Sequence, residues 1–70
     1  MNNQVIATRI KEIRMENALS QAEFGRKISA SQDSVSLWEQ GKSVPTTEYV
    51  IIICKQFHVP ADYLLGLSDY

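Results

Sequence analysis

The chain has one cysteine, one histidine, three glycines and two prolines. A lone Cys54 forms no internal disulfide and suits a reducing compartment. One imidazole and one thiol, His58 and Cys54, lack the partners of a metal or nucleophile site and read as structural. No glycine-rich loop cradles a phosphate, so no catalytic constellation is visible. The chain is therefore expected not to be an enzyme, and to need no cofactor, no metal and no small-molecule ligand. Long apolar runs are missing too. Val50 to Cys54 is five residues long, against the ~20 of a membrane span. The stretch Met1 to Arg9 has no apolar signal core, which predicts no export and a cytoplasmic location. Repeats, linkers and low-complexity segments are absent.

A basic excess is also lacking. Seven Lys and Arg face eight Asp and Glu, a net charge of −1, where a nucleic-acid binder ordinarily carries a positive surplus. The balance is uneven along the chain. Up to Leu19, Arg9, Lys11 and Arg14 outnumber Glu12 and Glu16. From Ser20 to Ser43, Arg26, Lys27 and Lys42 match Glu23, Asp33 and Glu39. Beyond Val44, Lys55 stands against Glu48, Asp62 and Asp69. The acidity lies mostly after the central stretch. Any polyanion binding should be weak when non-specific, with a shallow salt dependence.

What is present is a small globular domain, residues 1–70, with 44% hydrophobic residues. A chain of this size buries only about 60% of its unfolded surface, so its stability is modest or helped by dimerisation. The organising stretch is SQAEFGRKISASQDSVSLWEQG, residues 20–41. Ser20 with Glu23 three residues later makes a capping box, and a helix follows through Lys27. Ile28, Ser29 and Ala30 break it. Ser31 caps a second helix from Gln32 to about Gln40, which Gly41 ends. Phe24, Ile28, Ala30, Val35 and Trp38 can meet on one inner side, with Gly25 at the closest approach. Gln32, Asp33, Ser36 and Leu37 then share an outer face, short and rich in hydrogen-bonding groups, as base-edge reading requires.

Around this unit, Ile6, Ile10 and Ile13 set the stripe of a first helix over about Gln4–Asn17. Arg9, Lys11 and Glu12 are expected to face water. Leu19 points inward before the Ser20 cap. Pro45 denies helix to Val44. Thr46 or Thr47 caps a fourth helix reaching about Phe57, with Tyr49, Val50, Ile53 and Phe57 as its stripe and Ile51 and Ile52 widening it. Pro60 opens a last helix, Ala61 to Leu65, and Gly66 stops it. Leu64, Leu65 and Leu67 can cover the base. The fold class is all-α, a compact bundle of about five short helices.

Leu19-Ser20-Gln21, Gly25, Val35, Trp38-Glu39, Gly41-Lys42, Pro45 and Asp62-Tyr63-Leu64-Leu65-Gly66 stand at offsets that resemble the helix-turn-helix family of phage repressors and Cro proteins, the XRE-like, lambda-repressor-like class. The resemblance covers roughly Arg9 to Leu67 and has one departure: Ser29 stands where the family usually has glycine in the turn, which implies strain or a shifted geometry. It implies double-stranded DNA as partner, a homodimer, and regulation of transcription, by repression in the first place. Ser31, Gln32, Asp33, Ser36 and Leu37 would contact bases. Ser20, Gln21, Gln40, Lys42 and Ser43 would contact phosphates. Arg14, Gly25, Trp38 and Glu39 would be structural, with Arg14 paired to Glu39 and alanine tolerated in place of Gly25.

Each role has a plainer counterpart. Gln21 and Lys42 are otherwise solvated side chains, and Arg14 a surface arginine. Asp33 either accepts from cytosine or stabilises the helix start. Leu37 either meets a thymine methyl or forms a protein contact. A second function class stays open: a protein-interaction module or antitoxin-like adaptor on the same fold, favoured by the acidic balance. The symmetric dimer patch is expected at the C-terminal end, from Leu64, Leu67 and Tyr70.

Overall fold

A computed structural model describes residues 3–68, and among them every regular element is helical: α1 (Asn3–Glu16), α2 (Gln21–Ile28), α3 (Gln32–Glu39), α4 (Thr47–Phe57) and α5 (Ala61–Leu64). The local chemistry sets these limits. Ser20 has extended backbone, its hydroxyl accepts from the Glu23 N–H at 3.1 Å, and its own N–H donates to Glu23 Oε1 at 2.8 Å. The Ser20 N–H, then its hydroxyl, hold the Glu23 carboxyl below the usual carboxylate range. The cap is therefore complete above that range and fades as acid protonates Glu23. Ser31 caps α3 by accepting from the Ser34 N–H at 3.1 Å. Gly41, at φ +74°, leaves α3 with its N–H on the Trp38 carbonyl.

α2 and α3 cross over a core shared with α1, α4 and α5. Ile6, Ile10, Ile13, Phe24, Ile28, Val35, Trp38, Ile53 and Leu64 are buried together. Phe24 and Phe57 stack with ring centroids 4.9 Å apart. Trp38 lies against Tyr49 at 5.2 Å, so it belongs to the core. The expected inner face of the central unit is thus formed, with Ala30 packed against it.

Several expectations are corrected. α1 begins at Asn3 and ends at Glu16, α2 keeps Ile28, and Gln40 caps α3 from outside it. α5 ends at Leu64, with Pro60 as its N-cap. Ile51 and Ile52 stand exposed on α4, because Ile53 is the α4 residue turned wholly inward. Leu67 is 74% exposed and does not cover the base. Arg9 and Glu12 do not simply face water: the Arg9 guanidinium lies 4.3 Å over the Tyr63 ring, and the Tyr63 hydroxyl donates to Glu12 Oε2 at 2.8 Å. Together they fasten α5 to α1, and the bond to Glu12 raises the Tyr63 hydroxyl above its ordinary pKa. Alanine at position 25 is not a free replacement either: a Cβ there would stand 2.5 Å from the Ala30 carbonyl oxygen, a backbone atom.

Ser29 takes the left-handed conformation, φ 62° and ψ 37°, that glycine adopts without penalty. The turn keeps its geometry and the serine carries the strain, about 1–2 kcal/mol for a residue with a Cβ. Ser29→Gly should therefore raise the melting temperature, by a net of about 0.5–1 kcal/mol once the glycine's extra unfolded-state entropy is subtracted. A thermal scan that shows a lower melting temperature would mean that the Ser29 side chain contributes more than its conformation costs.

Candidate nucleic-acid interface

The outer face of α3 is built by what the inner face excludes. Val35 and Trp38 are buried, which turns Gln32, Asp33 and Leu37 to solvent and leaves Ser36 half-buried among them. Leu37 is 42% exposed. Asp33 lies in the first turn, where a carboxylate favours the helix dipole. Ser31 is exposed at the start, but its hydroxyl is engaged with the Ser34 N–H and hydroxyl.

The flanks come from both ends of the unit. Ser20 and Gln21 sit at the start of α2, with Ser20 exposed and its N–H already held by Glu23. Gln40, Lys42 and Ser43 follow α3; Gln40 and Lys42 are exposed and Ser43 is half-buried. The Lys42 N–H donates to the Leu37 carbonyl at 3.0 Å, which folds the loop back on the helix end and fixes where its ammonium starts. Lys42 and Gln21 thus bracket the polar face of α3 in the chain.

Behind this face lies a charged network that locks three helices. Arg14 on α1 donates through Nε to Glu39 Oε2 at 2.7 Å and through Nη2 to Glu39 Oε1 at 3.0 Å. Its Nη1 donates to the Leu19 carbonyl at 2.9 Å. The side chains are 15% and 5% exposed, so the pair is largely out of water, and the bonds to Glu39 raise the Arg14 pKa further. Such a fork-to-fork pair fixes geometry as well as energy. Gln21 joins it, donating from Nε2 to Glu39 Oε1 at 3.2 Å. The Arg14–Glu39 pair was expected. The Leu19 and Gln21 bonds were not; Ala18 turns the link before α2 at φ 56°.

Cys54 is half-buried, and burial pushes its thiol up, away from the thiolate a nucleophile needs. Among the described residues no cluster of His, Cys, Asp and Glu could hold a metal ion, and no helix is long and apolar enough to cross a membrane.

Two helices packed against each other and joined by a tight turn, with a solvent-facing polar strip on the second, define a helix-turn-helix protein. The helix-turn-helix family matches residues 10–64, and the chain belongs to it, in the Cro and phage-repressor class. Among its relatives is the antitoxin PezA of Streptococcus pneumoniae, 40% identical over 62 residues, which cover 89% of this chain and 39% of the antitoxin. The repressor protein C2 of Salmonella phage P22 is 31% identical over 65 residues, covering 93% of this chain and 30% of the repressor. The chain thus spans well under half the length of these relatives. The crystal structure of the P22 c2 repressor in complex with a synthetic operator superimposes with a TM-score of 0.81 at 28% identity, covering 87% of this chain and 92% of that one. The solution structure of that repressor's DNA-binding domain gives 0.81 at 30% identity, covering 100% and 95%. The lambda-repressor-like all-α fold is therefore the fold of this chain.

Proposed function

We propose that this chain acts in the cytoplasm as a sequence-specific double-stranded DNA-binding repressor that reads the major groove with α3, as a homodimer. The observation that carries the reading is the solvent-facing strip Gln32, Asp33, Ser36 and Leu37 on a helix locked from behind by Arg14 and Glu39. In this reading Gln32 bonds adenine bidentately, Ser36 bonds a base edge and Leu37 meets a thymine methyl. Asp33 accepts from a cytosine amino group. Lys42 neutralises a phosphate, and Gln21 offers its second N–H to one, with Ser20 and Ser43 beside them. Ser31 can donate to a base only by giving up its bond to the Ser34 hydroxyl, but keeps a lone pair to accept from one. A dimer block at a promoter would be steric.

The test separates the two kinds of contact. Gln32→Ala should weaken a selected site by about 1–3 kcal/mol and relax one base position, leaving scrambled DNA nearly unaffected. Lys42→Ala should weaken both duplexes alike and flatten the salt slope by about one unit. Fluorescence anisotropy on both duplexes, at several salt concentrations, reads this directly. If the two variants behave identically, α3 is not the reading element.

One reading helix makes too few contacts for specific affinity, so two half-sites about one helical turn apart are expected. Of the dimer candidates, Leu64 is fully buried and cannot contribute, and Tyr70 lies outside the described residues. Leu67 is the exposed candidate that remains, and Met15, Val44, Ile51 and Ile52 are the other large apolar side chains exposed away from α3. Sedimentation should find dimer on DNA carrying both half-sites, and a persistent one-to-one complex would remove the dimer from this account. The resemblance to an antitoxin favours a second reading, a protein-binding adaptor on the same fold. That reading takes over if pooled DNA fragments fail to bind at low salt.

A further inference from the structure

The solvent-facing strip of α3 contains a hydrogen bond that its outline as a row of readers leaves unexplained. The Gln40 amide reaches back one turn and donates from Nε2 to Ser36 Oγ at 2.8 Å. In a helix interior a hydroxyl commonly donates to the carbonyl four residues earlier. Thr8 does so in α1, to the Gln4 carbonyl at 2.9 Å. Ser36 receives a bond instead. A serine hydroxyl has one proton and two lone pairs. Gln40 fills one lone pair and leaves the proton and the second lone pair open, and a hydroxyl that accepts a bond becomes a stronger donor and a weaker further acceptor. Ser36 lies one turn from Gln32 and Asp33, so its hydroxyl shares their surface.

We propose that Gln40 is a specificity-determining residue that acts through Ser36. It poises the Ser36 hydroxyl as a donor, and the base edge facing Ser36 is therefore an acceptor: purine N7, guanine O6 or thymine O4. The amino groups of cytosine and adenine are disfavoured there. Gln40 is a positioning residue in this account, and its contribution is to sequence preference rather than to phosphate binding. The inference rests on the reading that α3 enters the major groove.

The experiment is selection from random duplexes, followed by competition binding of single-base variants of the selected site, with scrambled DNA as reference. Gln40→Met keeps the side-chain length and removes the donor. Preference at one base position should fall about fivefold, the equivalent of one neutral hydrogen bond, with scrambled DNA bound as before. Gln40→Glu replaces the donor by an acceptor that takes the Ser36 proton. Relative to its weakened binding of scrambled DNA, it should shift that same position toward a base presenting an amino group. In Ser36→Ala the preference at this position should be lost, and adding Gln40→Met should change nothing further. Equal loss on selected and scrambled DNA in Gln40→Met would make Gln40 a phosphate contact and overturn the proposal. So would an unchanged preference at every position. In either case Gln32→Ala reports separately on the groove reading: if it still relaxes its own base position, only the Gln40 assignment fails.

Discussion

Arg14→Met should lose about 3–5 kcal/mol of unfolding free energy in a denaturant melt, the cost of leaving a buried charge without its partner. The carboxylate left behind is that of Glu39, whose side chain is 5% exposed. Two other groups are stranded with it. The Leu19 carbonyl loses its donor, and Gln21 keeps only a carboxylate that now has no counter-charge. Whole domains are stable by only about 5–15 kcal/mol, so a small one would be close to unfolding. An exposed pair would cost under about 1 kcal/mol, and a loss that small would reduce the pair to a surface contact. Arg14→Met combined with Glu39→Leu separates charge from packing. Removing both charges should recover part of the loss, because the penalty of the single change lies mostly in the orphaned carboxylate. DNA affinity of the single variant should fall with stability, since the pair holds α3 against α1.

The elements of the fold were legible because local signals set them. The Ser20–Glu23 box, the Ser31 cap, Gly41 and the isoleucine stripe of α1 each act within a few residues of themselves. The boundaries drifted by about a residue, as at Ile28 and Gln40. What could not be read were side-chain choices made across helices. Arg9 is charged and sits one residue from the α1 stripe, which reads as a solvated position. Its fate depends on Tyr63, which arrives 54 residues later and presents a ring face. Leu64 and Leu67 are the same residue type three positions apart. Leu64 enters the core and Leu67 does not, because α5 ends at Leu64 and the chain leaves it through Gly66 at φ +79°. In the candidate interface, the exposure of α3 followed from its buried face. The Gln21–Glu39 bond spans two helices and had no signal. The Gln40–Ser36 bond did have one, since a donor four residues after an acceptor on an exposed helix is a standing pair.

Gly25 sets the other large effect. It sits inside α2, where replacing glycine by alanine would ordinarily gain about 1 kcal/mol of helix propensity. The neighbour decides against that gain. A Cβ would stand 2.5 Å from the Ala30 carbonyl oxygen and 3.4 Å from its carbon. No side chain can rotate away to relieve this, because the obstacle is the backbone of the turn. That turn is itself tied to Gly25: the Ala30 N–H donates to the Gly25 carbonyl at 2.9 Å. Relief therefore requires α3 to move as a body, lengthening the bonds that define the turn. Overpacking of this kind costs about 1–3 kcal/mol, enough to outweigh the propensity. Gly25→Ala should thus destabilise by a net of about 1 kcal/mol, which in a domain of this size lowers the melting temperature by about 4–8 °C. Gly25→Leu adds three more carbons to the same contact and should exceed 3 kcal/mol, beyond the ordinary overpacking range. The two variants bracket the geometry. An alanine variant that melts with the wild type would show that the turn yields freely, while a leucine variant that does so would place position 25 away from the turn altogether. An alanine variant that stays folded should also bind its selected DNA site less well, because the strip Gln32 to Leu37 is carried on the helix that has to move.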